Sequence, residues 1–172
     1  MTKLYRGKRD PRFVRVSRGG LLEDALHQSL ARWGAVCAER VLPLFEAANP
    51  DDPRPRQAVE AARLWADGKI TMMQARGYAV AAHAAARSED GEAKAAARAA
   101  GHAVASAHMA DHALGAAYYA LKAMEAAYPD ESAWIETEKR WQIEALTEDI
   151  RELVVDDMRL RGEKFRGMFD PG

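Results

Sequence analysis

The chain has 172 residues, 48% of them apolar and 30% charged, with a formal net charge of −1. That is one globular domain with enough residues for a real core, and not a disordered chain. No apolar run reaches the ~18 residues that cross a bilayer, no apolar segment follows the basic N-terminus as in a secretory signal, and the single cysteine, Cys37, excludes an intrachain disulfide. A cytoplasmic protein without a membrane partner is expected.

The charge is segregated. Residues 1–20 carry seven basic groups and one acid, Asp10, while residues 125–157 carry eleven acids against Lys139, Arg140 and Arg151. The two ends either attract each other or, in the sharper reading, leave an acidic surface for a basic partner.

Residues 1–20 read as an extended basic arm. Arg12-Phe-Val-Arg-Val alternates charged and apolar groups until Gly19-Gly20 breaks it. Residues 21–161 read as one all-α domain and 162–172 as a tail that frays unless Phe165 and Phe169 dock. The first helix begins near Leu21. Leu22, Ala25, Leu26, Ser29, Leu30, Trp33, Val36, Cys37 and Val41 recur at three- and four-residue steps and give it one buried face. Pro43 should kink or end it.

A loop follows, in which Asp52 is a good N-cap and Pro53 suits a first helical position. The second helix turns Val59, Ala62, Leu64 and Trp65 inward and stops at Asp67-Gly68. Thr71-x-x-Gln74 is a capping box that opens a third helix, running to about Arg87. From Glu92 to Ala127 nothing forbids a helix, but the length is about twice the usual, so two helices are expected with a break between His108 and Gly115 and Asp111 as a cap. A sixth helix follows Pro129, with Trp134, Trp141 and residues 143–146 buried. A seventh is capped by Thr147 and packs Ile150, Leu153, Val154 and Met158. The result is about seven helices in a compact orthogonal or solenoid-like bundle.

Four of the five histidines lie in the alanine-rich stretch from Ala79 to Ala127: His83, His102, His108 and His112. His108 and His112 share a helix face one turn apart, a spacing that suits zinc, copper or nickel. On a continuous helix His102 would sit ~15 Å along the axis and ~80° round from His112, too far to share an ion. A break near His108 would change that. A third ligand would come from Asp111, His83 or His27, and Met109 stands where a zinc protease needs glutamate. The alternative is that the rings fill space and hydrogen-bond between alanine-faced helices. No catalytic residue and no cofactor is assigned.

Arg54 and Arg56 oppose the helix dipole at a helix start, so each needs an anion. Structural partners would be Asp51, Asp52, Glu60, Asp156 or Asp157; otherwise a phosphate or a partner's carboxylate would serve. Cys37 lies on an apolar stripe ~15 Å from His27, which excludes a dyad within that helix and favours a buried thiol. The arm, with Tyr5 and Phe13 among its basic residues, lacks any nucleic-acid-binding signature. Trp33, Trp65, Trp134 and Trp141 read as core anchors.

Several stretches in order carry a family resemblance: Val16-Ser-Arg-Gly-Gly-Leu-Leu, Trp33 to Glu46, Asp51 to Asp67, Ala99 to Ala123 and Leu153 to Arg161. Together, from about Phe13 to Arg161, they resemble the immunity proteins of bacterial polymorphic-toxin systems, in the Imm-five-like group. The resemblance implies an all-α fold and a protein that binds and neutralises a cognate toxin. It carries over Asp52, Arg54, Arg56, His102, His108 and His112 as motif positions without an assigned chemistry. Leu26 departs from the pattern, which often has an acid directly before the first-helix histidine.

Two functions of different class follow. One is a non-catalytic inhibitor that meets a basic partner through the acidic region, with Glu136, Glu144 and Asp149 as candidate contacts. The other is a small hydrolase built on the histidines, which requires the rings to converge on a cavity. A helical scaffold that oligomerises through alanine faces is a third.

Overall fold

The computed structural model describes residues 9–169. Tyr5 and the other residues before Arg9 fall outside that range. Seven helices follow in order: α1 (Asp24–Ala48), α2 (Arg54–Ala66), α3 (Met72–Arg87), α4 (Gly91–Ala105), α5 (His112–Ala127), α6 (Ser132–Glu144) and α7 (Glu148–Leu160).

α4 is the centre of the molecule, touching α1, α2, α3 and α5. Ten of its fifteen residues are buried, and nine of those ten are alanine or glycine, the tenth being Val104. Apart from Glu92 and a stripe of Lys94, Arg98 and His102 the helix is apolar, which places it inside the protein, and alanine lets its neighbours come close. At Gly34 of α1 the backbones come close: an added Cβ would lie 3.5 Å from the Ala113 Cα and 3.6 Å from the Ala103 Cα. A second core uses large side chains. Phe13, Leu22, Leu30, Trp33, Leu114, Ile150, Val154, Met158 and Phe165 pack between α1, α5, α7 and both chain ends.

Local signals mark several element starts, although among the seven helices only α3 has a side-chain cap and Thr147 precedes α7 without making one. The capping box is complete: Thr71 Oγ1 accepts from the Gln74 amide and Gln74 Oε1 accepts from the Thr71 amide. Asp52 accepts from the Arg54 amide at 3.1 Å, although the helix begins after Pro53. The long alanine segment breaks at Ser106–Asp111, and Asp111 occupies the cap position of α5, its side chain accepting from Arg9 and not from the helix backbone. α1 starts three residues later than Leu21 and runs through Pro43, which lies on the exposed side of the helix.

Three expectations are corrected. The arm is turned rather than extended between Asp10 and Leu22. Short 3-10 turns at Pro11–Phe13 and Val16–Arg18 fold it, and a bridge joins Arg15 to Leu22. Gly20 permits this, because a Cβ there would meet the Val14 carbonyl oxygen at 1.9 Å. Asp10 is buried and holds Arg12, whose guanidinium reaches Asp156 of α7 at 2.7 Å. The basic arm and the acidic C-terminal region therefore do attract each other.

Secondly, Leu64 points outward from α2. Thirdly, α6 does not bury Trp134 or Ile143, which are 45% and 38% exposed. Its buried residues are Glu138 and Gln142. Glu138 pairs with Arg40, whose guanidinium lies 4.0 Å from the centre of the Trp141 ring. The Gln142 side-chain amide nitrogen donates to the Ala117 carbonyl, and the backbone carbonyl of Gln142 accepts from the Trp33 indole. Polar bonds rather than an apolar stripe hold this helix. The tail docks through Phe165, which is buried beside Tyr118.

Candidate functional site

The break between α4 and α5 gathers the histidines that a continuous helix would have kept apart. His83 of α3, His102 of α4, His112 of α5 and His108 of the turn form a row. Successive ring centres are 5.2, 5.1 and 5.5 Å apart. The Nδ1 atoms of His102 and His112 are 3.0 Å apart, so one ring donates and the other accepts. Arg98 donates to His83 Nδ1 at 3.1 Å, which places the proton of that ring on Nε2. Tyr119 stacks on His102 with centres 5.0 Å apart.

Two helix glycines make room for this row. A Cβ at Gly101 would lie 2.6 Å from the His83 ring, and one at Gly115 would lie 2.7 Å from His102 Nδ1. Each imidazole thus fills the space of a missing side chain on the next helix.

Burial, and then neighbouring positive charge, pushes His83 down to about 4 and His102 to about 3 from the ordinary 6.5. His108 and His112 are lowered as well, again first by burial. At neutral pH the row is uncharged. Arg98 supplies a positive charge at one end, the opposite of what a metal cation requires. Among the described residues no three histidine, cysteine or acidic side chains come together to hold a metal ion. The His108–His112 pair is adjacent, as its spacing predicts, but it lacks a third ligand. Neither of the two clefts described below is lined by a histidine.

The remaining histidine, His27, is buried. Its Nε2 lies 2.6 Å from the Ser106 carbonyl, to which it donates, and its ring packs on Trp65. Cys37 is buried, and burial pushes its thiol well above the ordinary range.

The motif arginines each find a carboxylate. Arg54 is paired with Asp52, one of its expected partners, at 2.6 Å. Arg56 bonds Glu46 of α1 at 2.5 Å instead of any acid expected for it, because α2 folds back along α1 and brings its first turn to the end of that helix. Asp157 is paired with Arg161 within α7 and the turn after it.

The acidic candidates lie on α6 and α7. Glu136 pairs with Lys139, and Asp149 accepts from Ser29 Oγ at 2.7 Å. Glu144 is exposed. A cleft of about 930 Å³ separates the two helices, and Ile143, Asp149, Glu152, Leu153 and Val155 line it. Ile143 and Val155 are 38% and 43% exposed. Glu136 shares the azimuth of Ile143 to within about 20°, whereas Glu144 lies about 100° away from it. The open apolar residues escape sequence reading because α6 breaks the rule that its apolar side faces inward. Their one signal was the polar pair Glu138 and Gln142 at helical spacing.

The chain is therefore an all-α protein with an uncharged, partly buried histidine row and a cleft of apolar and mixed-charge groups between α6 and α7, and no described helix is long and apolar enough to cross a membrane. A family model described as "Imm-5 like putative immunity protein" matches residues 20–149, and the chain belongs to that family. The match takes in the Asp52–Arg56 motif and the histidine row but stops before the Leu153–Arg161 stretch. Membership brings an immunity role, implies a toxin partner in general and points away from catalysis. No curated protein and no solved structure matches the chain.

Proposed function

We propose that this protein binds and neutralises a cognate toxin of a bacterial polymorphic-toxin system, acting in the cytoplasm by protein–protein contact without catalysis. The family match carries the reading. The docking face is the α6–α7 cleft, where open apolar groups sit beside acids. Three bases line the cleft as well: Arg12 and Arg159 engage Asp156 and Lys139 pairs with Glu136, which leaves Asp149 and Glu152 as the acids turned to a partner. An apolar centre with a charged rim is how protein interfaces are built, and acids steer a basic partner during encounter.

The test uses the toxin domain encoded next to this gene. Glu136→Lys and Asp149→Lys slow its association and flatten the salt dependence, and Glu144→Lys does so less. Binding that ignores salt and all three substitutions removes this face. The hydrolase reading gains from the convergence of the histidines, although neither cleft described here is lined by a histidine. The scaffold reading calls for free alanine faces, but those of α4 are buried within the chain, which leaves it Met73 and Val80, exposed on α3; a monomeric mass in solution removes it.

A further inference from the structure

A second cleft, of about 490 Å³, opens between α4 and α5 on another part of the surface. Lys94, Arg98, Tyr119, Lys122 and Glu125 line it. We propose that this cleft binds a phosphate-type oxyanion, with Arg98 as the central contact. The inference is independent of the toxin-binding reading.

Arg98 carries the argument. It is half-buried, and among the described residues it forms no ion pair. Its one hydrogen-bonding partner is His83 Nδ1, an uncharged acceptor. Every other arginine that lines a cleft or begins a helix here is matched to a carboxylate, as Arg12, Arg54, Arg56 and Arg159 are. A guanidinium held part-way out of water without an anion is a costly arrangement that a bound oxyanion relieves.

Two lysines flank it. Lys122 contacts Glu125 at 2.5 Å, and Lys94 reaches Asp90 only at 3.8 Å, where that carboxylate is fully exposed. Three cations therefore surround the opening against one close carboxylate. Gly91, the first residue of α4, lines the same cleft, and the Asp90 side chain does not cap the helix. The positive end of the helix dipole adds to the field of the side chains. Phosphate matches this set better than a carboxylate, since it offers three or more oxygens to a forked guanidinium and two ammonium groups. Ala95, Ala126 and the Tyr119 ring give the cleft apolar walls for an organic body.

The test follows backbone amide shifts of the whole protein by NMR. Inorganic phosphate, adenosine monophosphate, acetate and chloride are titrated separately at constant ionic strength. Saturable shifts at Gly91, Ala95 and Tyr119 with both phosphates, and not with acetate or chloride, are expected. A tighter response to the nucleotide identifies an organic phosphate as the ligand, and an equal response identifies the free ion. Arg98→Gln should weaken binding by about tenfold or more, as loss of a charged bidentate partner does. Lys94→Gln with Lys122→Gln, both at the surface, should weaken it without touching the histidine row. Bound phosphate should also raise the titration midpoint of His83, because the Arg98 charge is one cause of its depression. Unsaturable shifts, an equal response to acetate, or wild-type binding in both variants overturns the proposal.

Discussion

The Nδ1 atom of His102 stands where a side chain at position 115 would be: a Cβ on Gly115 would lie 2.7 Å from it. Gly115→Ala, and likewise Gly101→Ala against His83, should therefore destabilise the protein by about 1–3 kcal/mol, the usual cost of overpacking. Gly77 on α3 is the control, with nothing within 4 Å of an added Cβ. There alanine should stabilise by about 0.5–1 kcal/mol through helix propensity. Denaturant midpoints of the three variants decide this; a stabilised Gly115→Ala would mean that the ring moves freely.

The neutral row makes stability depend on pH with a definite sign. His83 and His102 titrate near 4 and 3 in the folded protein and near 6.5 when unfolded. Between those values the unfolded chain binds more protons, so stability rises with pH through the window and is complete above about 6.5. It is lost as pH falls towards the folded values. For the well-sealed His102, moving from pH 7 to pH 5 should remove up to about 2 kcal/mol. Urea unfolding at the two pH values, in the wild type and in His102→Asn, measures the difference. Equal losses in both proteins would clear His102 of the effect.

Glu138 is 2% exposed and relies on Arg40. Arg40→Met should cost about 2–4 kcal/mol because it strands a buried carboxylate. Adding Glu138→Leu should recover most of that loss. Thermal unfolding of the single and double variants tests the coupling, and additive losses would contradict it.

Cys37 should be inert in the folded protein. It is buried, and burial holds the thiol protonated. A thiol-specific reagent should label it only at the rate of unfolding, so labelling should accelerate with added urea. Rapid labelling in native buffer would place the thiol at the surface.

The features readable from sequence were those set by short-range chemistry. Thr71 and Gln74 announce a helix start because the two hydrogen bonds that close it lie within four residues. Asp52 and Arg54 are likewise local partners. The row of histidines was hidden because it depends on where the α4–α5 helix breaks. The break was expected between His108 and Gly115 and falls at Ser106–Asp111. That is enough to fold His112 back onto His102. α6 was misread for a different reason. Periodicity assigns apolar residues to the inside, but Glu138 and Gln142 outcompete Trp134 and Ile143 because each has a specific partner across the interface. Arg56 finds Glu46 through helix packing, which spacing along the chain does not encode.

The enclosure of α4 determines where this protein is free to change. At the ten buried positions of this helix, which is wrapped by four others, a larger residue must displace a neighbour, so its alanines are fixed by volume. α6 sits at the other extreme, attached by an ion pair and a few amide bonds while most of its side chains face water. Substitution can remodel its outer surface and leave the alanine centre untouched. A lineage under pressure to recognise new partners would keep one interior and rewrite that one helix.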